Sequence, residues 1–294
     1  MTKDFKTKKG RYTQPRLTPE EWGEKKRQEK DDLYHEIDDT TMSIMQDSEK
    51  FKGFLDTQSR VNRYSTANAM SIYKHCPNAT KLREFDDWVS DNVKIKKGEK
   101  SLPILEPYEY TKKDGSSGID YNIKKVFDVS QTTAHQQPAP SLNRDPQKLV
   151  AVLIDTAPVT VKSVDELPYP NMGAYYNNEE QTLLIKRGIG DSVGLFQCVA
   201  QELGHAQLSI NSETYSRKDM GFQAVCIAYM LCRKFGVDTQ NFAVDRIPDE
   251  WKNKEPKAIR SELTKSRNAM NEIYSRTSDE LNRQKQKRSQ DKER

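Results

Sequence analysis

Two stretches of helical apolar period, about 191–208 and 219–235, leave the second half of the chain little freedom. In the first, Phe196, Val199, Leu203 and Ala206 share one face, which puts Cys198, Gln201, Glu202 and His205 together on the opposite one. The second is stopped by Gly236, where a helix C-terminus favours a residue free to take positive φ. Ahead of both lie a helix-like run from Leu149 to Ile154 and a strand at Val159-Thr160-Val161. Two further strands, Ala174-Tyr175-Tyr176 and Thr182-Leu183-Leu184-Ile185, flank a turn at Asn177-Asn178-Glu179-Glu180. Helices and short strands in separate runs predict an α+β fold.

The first half reads as helices followed by a small sheet. Thr18-Pro19-Glu20-Glu21 is a helix start, with Thr18 as N-cap, Pro19 in the first turn and Glu21 closing a capping box. Ser48 is placed to cap a second helix carrying Phe51, Phe54, Leu55, Gln58 and Val61, and a third runs from Ser65 until Pro77 ends it. Trp88 sits on a further short helical piece. Leu102-Pro103-Ile104-Leu105 and Val126-Phe127-Asp128-Val129 read as strands joined through the Lys113-Asp114-Gly115 turn.

Only 34% of positions are apolar, under the roughly 45–50% of ordinary globular domains. That points to modest cores with solvated ends. The first sixteen positions hold Lys3, Lys6, Lys8, Lys9, Arg11 and Arg16 against Asp4 alone, which is the pattern of a basic, phosphate-seeking arm. The expected organisation is a flexible arm over 1–17, an N-terminal domain over 18–132, a Pro-rich linker over 133–146, a second domain over 147–256, and a polar, exposed helix and tail over 257–294 in which no chemistry-bearing pattern is visible. No apolar run of about 18 residues and no apolar signal core occur, which predicts a cytoplasmic protein without membrane contact. Cys76, Cys198, Cys226 and Cys232 lack paired metal-knuckle spacing and read as small core thiols.

Gln201-Glu202-Leu203-Gly204-His205 is one residue away from H-E-x-x-H, in which two histidines at i and i+4 bind zinc and the glutamate deprotonates the metal-bound water. An amide oxygen at Gln201 is a neutral, poor substitute for imidazole. The third ligand of such a site comes from a following helix, where this chain offers Val225.

The chain resembles the ArdC family of antirestriction proteins of plasmids, conjugative elements and phages. The resemblance rests on Arg63-Tyr64-Ser65 with Asn68, on Trp88, on Val93-Lys94-Ile95-Lys96-Lys97-Gly98-Glu99-Lys100, on Val126 to Thr132, on Gln201 to His205, and on Gln223-Ala224-Val225-Cys226-Ile227-Ala228-Tyr229. It covers about residues 45–250 and implies an N-terminal domain that binds single-stranded DNA, followed by a zincin-like metallopeptidase domain. Val225 falls where the family has its ligand glutamate. Of the metal-site positions Gln201, His205 and Val225, only His205 keeps a ligating side chain, so the expectation is a pseudoenzyme with Glu202 as a relic general base, no zinc and no other cofactor. In that pocket His205 is expected to hydrogen-bond Glu202 or Gln201. The alternative is an active peptidase with a rearranged ligand set built from His205 with Cys198, Cys226, Glu213 or Asp219.

Single strands are held by basic grooves with aromatic platforms on which bases stack. The residues expected to do so are Arg60, Arg63, Asn68, Lys94, Lys96, Lys97 and Lys100, with Tyr64, Tyr73 and Trp88 as platforms. The implied partners are single-stranded DNA and proteins of the mobile element or of host restriction. A third reading makes the protein an adaptor whose arms dock other element-encoded proteins.

Overall fold

A computed structural model describes residues 17–134, 145–240 and 242–292. The basic arm and the core of the Pro-rich linker lie outside the described residues.

Helix α1 (Pro19–Met45) starts at the capping box read from sequence: Thr18 Oγ1 accepts from Glu21 N–H at 3.2 Å, and Glu21 Oε2 accepts from Thr18 N–H at 2.8 Å. Its first turns are exposed, and from Leu33 onward it buries Ile37, Ile44 and Met45. Helix α2 (Ser48–Arg60) is capped by Asp47, not Ser48. The Asp47 carboxylate accepts from Glu49 and Lys50 N–H and adds a negative charge at the positive helix end. Helix α3 (Thr66–His75) is capped by Ser65. Phe51, Phe54 and Leu55 of α2 are fully buried in the core.

Strand β1 (Leu82–Glu84), the short helix α4 (Phe85–Ser90), and strands β2 (Leu102–Thr111) and β3 (Ser117–Asp128) follow. The sheet is antiparallel in the order β1-β3-β2. The β2–β3 hairpin turns at Lys113-Asp114-Gly115, where Gly115 has φ +83. It is longer than sequence suggests, because its outer half runs past β1 as a two-stranded ribbon with exposed Tyr108, Tyr110, Ile119 and Tyr121.

The second half contributes α5 (Pro146–Asp155), β4 (Thr160–Val164), β5 (Ala174–Asn177) and β6 (Thr182–Lys186). They form a sheet β4-β6-β5, parallel between β4 and β6 and antiparallel within the expected β5–β6 hairpin. Helices α6 (Ser192–Ile210) and α7 (Gly221–Phe235) lie where the apolar period puts them, and α7 ends at Gly236 with φ +70. The single-turn α8 (Asp249–Lys252) precedes α9 (Pro256–Lys292).

Helix α9 corrects the expectation of an exposed C-terminal helix. It packs along α7 and α6, reaches α1, α3 and α5, and buries Ile259, Leu263, Ser266, Met270, Ile273, Thr277 and Leu281. Those positions step by three and four residues and, with Ala269, also buried, lie along one narrow face of the helix. The hydrophobic core is consequently continuous from Leu33 to Leu281. Phe51 of α2 stacks on Phe222 of α7 at 5.6 Å, and Phe222 meets Trp251 edge-on at 5.0 Å. Tyr229 Oη donates to Asp56 at 2.8 Å, and Asn62 and Asn271 join the same two halves. No described helix is long and apolar enough to cross a membrane.

Candidate functional site

Helix α6 carries the metal-motif residues into the interior. It approaches α7 closely at Gly204, where a Cβ would stand 3.3 Å from Ile227 and 3.4 Å from the Ala224 backbone. Both sides of α6 are covered, so Glu202 and His205 are 1% and 2% exposed. Glu202 Oε2 accepts from the Tyr176 N–H of β5 at 2.7 Å, and Oε1 accepts from Arg217 Nη2 at 2.6 Å. Arg217 lies over the Tyr175 ring at 4.6 Å. His205 Nδ1 is hydrogen-bonded to the Tyr215 hydroxyl at 3.0 Å, not to Glu202 or Gln201 as the sequence suggested. The segment between α6 and α7 supplies this partner, and the neighbouring Glu202 is already committed to Arg217. Gln201 and Val225 are half-buried.

Burial pushes the His205 ring down to about 3, reinforced by the Arg217 charge, and pushes the Tyr215 hydroxyl up to about 12. Burial also pushes the Glu202 carboxyl up, while Arg217 and the Tyr176 N–H pull it back. A general base must present a lone pair to the proton it takes. At Glu202 each oxygen already accepts one hydrogen bond, one of them from the Arg217 guanidinium.

The residues present do not fit a divalent metal. Among the described residues no three His, Cys, Asp or Glu side chains gather in one place, so the rearranged ligand set does not assemble. Cys226 is fully buried with its thiol pushed up by burial. The Cys198 Cβ lies 3.5 Å from the point where a Gly173 Cβ would stand, close to Ile189 and Leu195. The positive charge beside Glu202 is supplied by the chain itself.

A second candidate site is an open groove of about 580 Å³ between the turn after α2, strands β1–β3 and α9. Arg63 and Tyr64, both expected to contact nucleic acid, line it, together with Arg83, Tyr121, Lys124 and Arg267. Its carboxylates are largely neutralised: Lys124 Nζ bridges Glu84 at 2.8 Å and Glu106 at 2.6 Å. Arg63 and Arg267 have no carboxylate partner among the described residues. Arg267 Nε donates to Asn62 O at 3.1 Å, and Lys234 Nζ donates to Asn62 Oδ1 at 3.1 Å while lying 4.4 Å from the Tyr274 ring. Burial, with Arg63 nearby, pushes the Lys234 ammonium down to about 8. Arg63 and Arg267 at this end, with Lys234 packed near Arg63, make a concentration of positive charge that sequence reasoning missed, because Lys234 lies in α7 and Arg267 in α9.

Four of the residues expected to contact nucleic acid are engaged elsewhere in the fold. Asn68 lies at the groove, but its amide is spent on both backbone groups of Leu105, at 2.9 and 2.7 Å, which fastens α3 to the edge of β2. Arg60 is turned inward onto the carbonyls of Pro77 and Ala79. Trp88 is 2% exposed and donates to Phe127 O at 3.0 Å, with Arg83 over its ring, so it is a core residue and not a platform. Tyr73 lines a separate hollow in which Asp32, Glu36 and Asp39 face Lys50 and Lys74. Lys94, Lys97 and Lys100 are exposed around the Gly98 turn, and Lys96 Nζ donates to Ser130 O at 2.7 Å. None of the four lysines lines the groove.

No protein-family model matches the sequence, and no curated protein matches it. Solved structures do match. The metal-free crystal structure of antirestriction ArdC protein from plasmid R388 aligns with a TM-score of 0.51 at 16% identity, over 74% of this chain and 86% of that one. Its Mn(II)-bound structure aligns with the same score and identity, over 73% and 85%. The chain therefore has the mixed helix-and-sheet fold of the ArdC antirestriction protein.

Proposed function

We propose that the protein is an antirestriction factor of a mobile genetic element that acts by binding single-stranded DNA, without a cofactor and without hydrolysis. The observation that carries this reading is the contrast between the two sites. The groove keeps Arg63 and Arg267 free of carboxylates beside Tyr64 and Tyr121. The pocket that would do chemistry has its carboxylate tied to Arg217. Aromatic rings interleaved with cations, Tyr121 exposed and Tyr64 half-buried, suit a single strand, whose bases are open for stacking, while a duplex hides them. The lysines around Gly98 supply a second phosphate contact. Binding is electrostatic in the main and steeply salt-dependent. The protein works in the cytoplasm, where entering DNA meets host restriction, and its protein partners are restriction or mobile-element proteins.

The test is a fluorescence-anisotropy titration of labelled single-stranded and duplex DNA at two salt concentrations, with elemental analysis of the same sample. Salt-sensitive preference for the single strand, without stoichiometric metal, is the expected result. One metal per chain and no DNA affinity would overturn it.

A further inference from the structure

A second, smaller hollow of about 290 Å³ lies where the exposed start of α1 meets the β2–β3 ribbon. Trp22 and Tyr108 line it, and so does Tyr121, which also lines the larger groove. Trp22 is 58% exposed, although most tryptophan rings in folded proteins are largely covered, and Tyr108 and Tyr121 are each 39% exposed. The cations around these rings are Lys26, Arg27 and Lys30, and the one lining carboxylate, Asp120, is already held by Lys30 at 2.9 Å and by the Tyr108 hydroxyl at 3.0 Å. Lys26 lies 5.8 Å from the Trp22 ring and pairs with Glu29, while Arg27 has no carboxylate partner among the described residues.

Resting on the strand-binding function proposed above, we propose that one single strand of nucleic acid occupies both hollows, crossing Tyr121. Its bases stack on Trp22 and Tyr108 at one end and on Tyr64 at the other. Its phosphates meet Arg27 and Lys26 at the first end and Arg63 and Arg267 at the second. The alternation of ring and cation is what a strand requires and a folded protein surface does not. Rings without cations would suit an apolar partner, and cations without rings would suit a duplex or an anionic bilayer. The two hollows contain no residue of the metal-motif pocket, so strand binding is independent of Glu202 and His205.

The full-length chain is titrated with labelled oligothymidine and oligouridine of about 16 nucleotides, long enough to cross both hollows, and of about 4, confined to one. Trp22→Ala combined with Tyr108→Ala is expected to weaken the longer oligomers about tenfold and the shorter ones about twofold at most. Arg27→Glu alters only an exposed charge and is expected to flatten the slope of log affinity against log salt by about one or more. Oligomers carrying 5-iodouracil are expected to crosslink to peptides containing Trp22 and Tyr121. Variants that bind the longer oligomers as the unaltered chain does, while Arg63→Glu still weakens them, overturn the two-hollow track and leave the strand-binding function standing. Failure of the unaltered chain to bind any oligomer at low salt overturns both. Tighter binding to anionic vesicles through the same residues overturns the track in favour of a membrane surface.

Discussion

Glu202 sits in the environment of a structural anion. Its two oxygens take one backbone N–H and one guanidinium, so the carboxylate is satisfied inside the core and cannot reorient without leaving Arg217 unpaired. Replacing Arg217 with Ala strands a buried charge and is expected to cost about 3 kcal/mol of stability. Adding Glu202→Gln to that variant is expected to recover part of the loss, as chemical denaturation of the four-protein cycle measures. At His205 the folded ring titrates near 3, below its unfolded value of about 6.5. The folded state binds fewer protons than the unfolded one between those values. The stability held by the neutral ring is therefore complete above pH about 6.5 and lost as pH falls toward 3. His205→Gln is expected to flatten that acid limb in thermal melts taken from pH 7 to 4, and an unchanged limb would mean that another group governs it.

At the scale of elements, α9 holds the molecule together. Leu263→Ala and Ile273→Ala are each expected to destabilise by about 2–4 kcal/mol, in contrast to substitutions at exposed Lys265 or Asn268, which leave the unfolding midpoint within about 0.5 kcal/mol. Composition hid this role. The buried seam includes Ser266 and Thr277, whose hydroxyls bond back to the Glu262 and Ile273 carbonyls and so enter the core satisfied. A helix with two hydroxyl positions in a narrow buried face has an averaged polarity that looks solvated. Helices α6 and α7 were legible because most of their surface is apolar, and the hairpins because their turns carry Asp-Gly and Asn-Asn. The candidate sites were less legible. Arg63 and Tyr64 line the groove, whereas Asn68 and Trp88, from the same resemblance, fasten elements to the sheet. Arg217, Tyr215 and Arg267 follow no period and meet their partners only through tertiary packing, which spacing along a chain does not encode.

At the scale of the whole molecule, one core runs beneath both halves, and side-chain bonds such as Tyr229–Asp56 and Asn62–Asn271 cross between them. A single cooperative unfolding transition is expected in calorimetry, with coincident loss of tryptophan fluorescence and helical signal. Two resolved transitions would mean that the halves on either side of the linker fold independently. The position of α9 in the chain also sets an order of events during synthesis. Arg63 leaves the ribosome early, but Arg267, which completes the same basic end, follows some two hundred residues later, on the order of ten seconds or more at ordinary elongation rates. Until then α1, α2 and α3 present an unclosed apolar surface and an incomplete groove. On the strand-binding function proposed above, a nascent chain that has not yet extruded Arg267 presents only part of the basic groove.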